Sequence, residues 1–224
     1  SVHKGIFSSA FTCSNNMFIG VPVALSLFGE QALIPTLFYF FANTTFFWTI
    51  GNFLEARDGA LVSHAPLKPL FSWESLRRVF SPPFCGFLTA LFCVIINWRP
   101  PEFIMTSAKY MGGITSPLAL IFIGLMLYRI GIRNIRFNRD LSWVFAGRFL
   151  VSPLICLGLS LLFPISPKFA KVYVIQAALP CITQIAVLAK FHHADAKFAT
   201  TCVASTTLGC LIALPIWMII LTTI

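Results

Sequence analysis

Asn15-Asn16-Met17-Phe18-Ile19-Gly20-Val21-Pro22 lies inside an apolar run that extends from Ile6 to Phe28. The run is long enough to cross a bilayer, yet it carries two amides, a glycine and a proline where a membrane helix is least able to hide them. Pro22 has no amide hydrogen to donate and crowds the preceding turn, and Gly20 removes side-chain bulk beside it. The stretch therefore predicts a helix that opens at Gly20 to Pro22. At membrane depth, freed backbone groups survive only around a protein-lined cavity or a partner helix. A second interruption lies near the other end of the chain. The apolar run from Phe169 to Leu188 is broken by Leu179-Pro180-Cys181, with Thr183 and Gln184 following. Two Pro-interrupted spans in corresponding positions of two halves point to a binding site at the membrane midplane.

Composition sets the solvent. With 58% hydrophobic and 10% charged residues and a mean hydropathy of +0.86, the chain departs far from soluble domains, in which about a quarter of residues are charged. It reads as an all-α integral membrane protein. The net charge of +9 is distributed as membrane topology requires. With loops placed alternately on two sides, eleven basic residues, among them Arg57, Arg77, Arg78, Arg129, Arg133, Arg136 and Arg139, share one side. Four (Arg99, Lys109, Lys168, Lys171) fall on the other. This asymmetry makes the first side cytoplasmic and sends the C-terminus outward, in a plasma membrane. No basic, aromatic-rich groove remains to suggest nucleic acid. All seven cysteines fall within apolar runs without a C-x-x-C pair, and read as small packing residues. Adjacent His192 and His193 lack further spaced ligands and read as a solvated turn, so neither a metal nor a cofactor is expected.

Seven spans are expected, at about 6–28, 32–54, 84–98, 112–127, 141–163, 169–190 and 198–223. Residues 1–54 hold the first broken helix and its follower. Residues 55–83 form a cytoplasmic linker with a basic amphipathic helix over Trp73 to Phe80, and 84–224 form a five-span unit. In the second span, Asn43, Thr44 and Thr45 suit interhelical hydrogen bonds, with lining of the pathway as the less favoured alternative. Residues Glu102 to Tyr110 suggest an interfacial segment before the span that opens with Gly112-Gly113-Ile114-Thr115-Ser116-Pro117. Thr115 and Ser116 can satisfy groups freed by Pro117, and are also candidates for the substrate path. Arg148, the one basic residue inside a span, is expected to snorkel to the interface. Every Asp and Glu falls in a loop or at a span end, which argues against a buried carboxylate proton relay.

Superposing Pro22 on Pro180 pairs the two broken spans, each followed by a turn with an acid (Glu30, Asp195) and an unbroken span. The broken spans enter from opposite sides, the pattern of an inverted repeat. On that pattern the five spans after the linker are one complete repeat, the first two end its partner, and three further spans are expected before Ser1.

These residues resemble the auxin efflux carrier family, which includes plant auxin exporters and bacterial malate or malonate permeases. The block from Asn15 to Pro22 is similar to its Asn-x-x-x-[Ile/Met]-Gly-x-Pro signature. Gly112 to Leu120 is similar to its Gly-Gly-x-[Thr/Ser]-[Thr/Ser]-Pro-Leu-Ala-Leu block, and Ala178-Leu179-Pro180, continuing to Lys190, to its second crossover. Cys181-Ile182-Thr183-Gln184 departs from both the plant and the commoner bacterial pattern. The resemblance implies ten spans in two inverted five-span repeats, with the fourth and ninth crossing at their prolines. It implies a carrier of small organic anions by alternating access, coupled to H+ or Na+ or to neither, and compatible with a homodimer. The site residues implied are Asn15, Asn16, Thr183 and Gln184 with the backbone of Gly20, Val21 and Pro22, beside Pro180 and Cys181. Half-helix N-termini would favour the anion without a buried cation.

Rival readings are a sodium-coupled symporter of the bile-acid type, a non-transporting membrane sensor, and an intramembrane enzyme. The last would need a nucleophile and base, paired acids or a metal set at membrane depth, and no such motif is present in the sequence. Asn15→Ala should abolish substrate binding while leaving membrane insertion intact. Unchanged affinity in an equilibrium binding measurement on that variant would remove the amide from the site.

Overall fold

The computed structural model describes residues 3–63, 82–130 and 137–223. All regular structure among the described residues is helical. Among the described residues, three helices are long and apolar enough to cross a membrane, Glu30–Ser63, Arg139–Leu162 and Ala196–Thr223, and a shorter apolar helix spans Asn16–Phe28. Large apolar side chains such as Phe38, Leu161 and Ile212 stand exposed, as suits a surface met by lipid tails.

The first broken span opens earlier than its proline suggests. Helix Lys4–Thr12 ends in an extended Cys13, and the chain resumes as a π-helical turn, Asn16–Gly20, that runs directly into helix Val21–Phe28. The break is therefore at Cys13 to Asn15, not at Gly20 to Pro22. The Gly20 amide donates to the Asn15 carbonyl at 3.1 Å, five residues back. That wider turn accommodates the Pro22 ring without rupture. In the second broken span, helix Pro167–Ala177 stops and helix Gln184–Phe191 resumes, and Pro180 lies in the break itself.

The two breaks cross and satisfy each other. Ser14 and Cys181 form an antiparallel bridge, in which the Asn15 amide donates to the Pro180 carbonyl at 2.9 Å and the Ile182 amide to that of Cys13 at 3.0 Å. Around this crossing packs a core that includes Ile6, Ala10, Phe47, Leu141, Ile185 and Cys202. A second cluster, built on Val174, Ile175, Trp217 and Leu221, covers the half-helix that leads into the Pro180 break. At the basic end, His3 Nε2 meets Asp140 Oδ2 at 2.9 Å and His3 Nδ1 meets Asp195 Oδ2 at 3.3 Å. The chain start is thereby tied to two later elements.

Arg148 does not snorkel. It is fully buried, and its guanidinium is spent on the crossing. Nε donates to the Leu179 carbonyl at 3.0 Å, Nη2 to Ala177 at 2.7 Å and Nη1 to Thr12 at 2.8 Å. Helices Lys4–Thr12 and Pro167–Ala177 both end there with carbonyls that their own helices cannot bond. A planar fork of donors fits several such acceptors at once, which outweighs the pull toward water. Gly147 permits the approach, since a Cβ there would run into the Phe11 ring.

Other boundaries also shift. Helix Leu33–Phe46 continues through a π turn, Phe47–Gly51, into Asn52–Ser63, so the second span passes its expected end at Leu54. Glu55 consequently sits inside a helix and is fully buried, and Asp58 is 3% exposed. Neither behaves as a span-end acid. Residues 102–130 form one helix, Glu102–Ile130, with Pro117 inside it, rather than an interfacial segment followed by a span. Nothing between Glu102 and Gly112 breaks a helix, and Pro117 removes a single backbone bond. The side chains of Thr115 and Ser116, and the expected amphipathic helix over Trp73 to Phe80, lie outside the described residues. His192 is not merely a solvated turn residue, for its Nε2 lies 2.9 Å from Asn52 Oδ1.

Removing the guanidinium strands several buried carbonyls, each worth about 1–3 kcal/mol when left unpaired. Arg148→Met should lower the melting temperature in detergent sharply. Arg148→Lys should recover only part of the loss, because an ammonium cannot reproduce the fork. A lysine variant as stable as the wild type would show that charge alone suffices.

Candidate functional site

The crossing leaves a cavity of about 240 Å³ whose polar walls come from Ser14, Asn15, Asn16, Asn43, Thr44 and Gln184. Phe18, Phe40, Trp48 and Ile182 supply apolar walls. Polar residues from both breaks and from the helix after the first one thus converge on a single space, as small-molecule sites require.

Each extended stretch is held from a flanking helix. The Ser14 amide donates to Asn43 Oδ1 at 2.9 Å, and Asn43 Nδ2 donates to the Ser14 carbonyl at 2.9 Å. One side-chain amide therefore pairs with the main chain as a neighbouring strand would. Across the crossing, the Cys181 amide donates to Thr206 Oγ1 at 3.2 Å. Gln176, fully buried, ties the two broken spans together. Its Oε1 accepts from Asn16 Nδ2 at 2.8 Å and its Nε2 donates to the Gly20 carbonyl at 2.9 Å. Gly20 must lack a side chain here, because a Cβ would collide with the Gln176 amide and the Leu179 side chain.

Two polar atoms of the signature asparagines remain unspent. Asn15 Nδ2 and Asn16 Oδ1 are buried without a hydrogen-bond partner among the described residues. Buried polar atoms in native folds are rarely left so, and each calls for an explanation. The backbone adds direction. Helical structure resumes at Asn16 and at Gln184, so two helix N-termini with positive partial charge meet the cavity. The opposing negative ends, at Thr12 and Ala177, bond to Arg148. The surplus near the cavity is therefore positive, although no basic side chain lines it.

Of the residues expected from sequence, Asn15, Asn16 and Gln184 line the cavity together. Pro180 and Cys181 lie in the crossing and are buried. Thr183 turns its hydroxyl to Gln184 Oε1 at 3.2 Å instead of lining the cavity. Gly20, Val21 and Pro22 sit a turn beyond it, in continuous helix. Asn43, expected first to hydrogen-bond and second to line the pathway, both pairs with Ser14 and lines the cavity. Gln176 was missed and Arg148 was expected to snorkel, though each is a strongly polar side chain in an apolar run, the signal of a buried functional role.

Comparison with known proteins places the chain. A profile of the family described as membrane transport protein matches residues 3–218. A protein of Methanothermobacter thermautotrophicus, described as an uncharacterized transporter, is 32% identical over 213 residues, covering 92% of this chain and 65% of the relative. Another uncharacterized transporter, from Methanocaldococcus jannaschii, is 26% identical over 206 residues, covering 91% of this chain and 64% of its own. The chain thus spans slightly less than two thirds of the length of these relatives. With a match that runs through the crossing and both broken spans, the chain belongs to the membrane transport protein family, the auxin efflux carrier family whose motifs it carries.

Proposed function

We propose that the protein is a secondary carrier of small organic anions, working by alternating access around the crossing of its two broken spans. The observation that carries the reading is the arrangement of helix ends. Two N-termini meet one cavity that Asn15 lines, with Asn15 Nδ2 buried and unpartnered among the described residues, while Arg148 takes up carbonyls at the two C-termini. A carboxylate there would accept hydrogen bonds and meet favourable dipoles, without a lysine or arginine that would hold it too tightly to release.

The inverted-repeat plan is supported by local correspondence. In each half, an extended stretch follows a helix end, is held by one polar side chain of the next helix (Asn43 for Ser14, Thr206 for Cys181), and leads into a helix that points away. The distribution of basic residues supports an outward C-terminus, and the plasma membrane is the location that goes with the carrier reading. A cavity of about 240 Å³ suits a small dicarboxylate, and its aromatic wall also suits a planar ring.

Uptake of labelled malate, malonate and indole-3-acetate into proteoliposomes, with sodium, pH and voltage gradients imposed separately, tests the reading. One anion should move saturably. Asn15→Asp, which places a negative charge at the free donor, should reduce that uptake at least about tenfold, equivalent to roughly 1.4 kcal/mol or more. Pro180→Ala should rejoin the second broken span and stall transport, and full turnover in that variant would defeat the crossing mechanism.

A further inference from the structure

Glu55 is an acid where the fold has no evident need of one. It is fully buried, and neither carboxyl oxygen has a hydrogen-bond partner among the described residues. Its helix, Asn52–Ser63, packs against Lys4–Thr12, against Gln184–Phe191 and against the π turn Phe47–Gly51. Both broken spans therefore bear on it. Across the interface, the Ser9 hydroxyl is a polar neighbour that falls outside hydrogen-bond geometry and is itself buried and unpartnered. Asp58, one turn along, is occupied by the Ile6 amide, which donates to Oδ2 at 2.9 Å.

No counter-charge is available among the described residues. Lys4 of the first half-helix, Lys190 of the Gln184–Phe191 helix and Arg57 of the same helix as Glu55 are exposed. His192 turns its Nε2 to Asn52, Arg148 is committed to carbonyls, and the π turn carries no titratable side chain. The remaining titratable group close by is Cys13, the first residue of the crossing, which lies within electrostatic reach of Glu55. An ionised carboxylate in such a place is costly, whereas a neutral acid costs no more than other buried polar groups. No group of three or more His, Cys, Asp or Glu side chains that could hold a metal ion is found among the described residues.

We infer that Glu55 is a proton-binding site coupled to movement of the broken spans. Resting on the carrier reading above, this assigns the proton as the coupling ion. While the first half-helix seals against Asn52–Ser63, the carboxyl holds its proton. When the two part, water reaches Glu55, the O–H bond breaks, and the proton leaves to water with the carboxylate remaining. On the other side the carboxylate takes up a proton from water before the interface closes again. One proton travels with each substrate molecule, so a monoanion crosses without net charge and a dianion with one negative charge.

The test uses the purified protein in proteoliposomes with a trapped pH dye. For whichever of labelled malate, malonate or indole-3-acetate is transported, wild-type uptake should rise with an acid exterior and carry protons inward. Glu55→Gln should lose substrate-dependent proton entry and accumulation against a gradient, while retaining counterflow at equal pH. Retained proton entry in Glu55→Gln overturns the proposal, as does wild-type uptake indifferent to pH. Infrared difference spectra of the substrate-free wild type, recorded between acid and alkaline pH, test it without any variant. They should contain a protonated-carboxyl carbonyl band slow to shift in heavy water. Absence of that band overturns the proton site even if transport is observed. Should none of the three anions move while the band is present, the carrier reading fails and the proton site stands.

Discussion

A polypeptide that stops two helices inside a membrane must find partners for the carbonyls at their ends. Here one side chain meets that demand for both. The Arg148 guanidinium reaches the final turns of Lys4–Thr12 and Pro167–Ala177 at once, and the two extended stretches then complete each other through a pair of backbone bonds. The charge on Arg148 is neutralised by carbonyl dipoles rather than by an acid. A carboxylate partner would have cancelled the positive field at the crossing, whereas dipoles leave much of it intact. On the carrier reading proposed above, the same contact that makes broken helices tolerable would also favour an anion in the neighbouring cavity.

The polar network around the cavity divides into groups already committed and groups held open. Asn43, Thr206 and Gln176 spend their hydrogen bonds on protein, and they fix the positions of Ser14, Cys181 and Asn16. Asn15 Nδ2 and Asn16 Oδ1 do not. Rigid neighbours around unfilled donors and acceptors are what preorganisation means physically, because little ordering remains when a ligand arrives.

Much of this was legible beforehand. Pro180 marked its break correctly because it lies in the interruption itself, and Asn15 with Asn16 advertised the cavity because amides are expensive in an apolar run. Pro22 misled about position. A proline forbids a hydrogen bond but leaves open whether the chain ruptures or widens by one residue, and here it widened. Arg148 misled for a related reason. Depth along a helix can be read from spacing, but the presence of unbonded carbonyls on other helices cannot, since it depends on how distant segments meet. Glu55 looked like a span-end acid because hydropathy falls around it, yet the helix continues to Ser63 and packing from two other segments encloses it.

The antiparallel pairing of Ser14 with Cys181 is made by main-chain atoms alone. Main-chain bonds are indifferent to side-chain identity, so residues threading the crossing other than Pro180 are free to vary without dismantling it. Cargo preference in such a scaffold can drift through a handful of side chains, among them Ile182 and Gln184, while the architecture stays put. A single framework is thereby open to diversification toward chemically dissimilar substrates, with few folding penalties along the way.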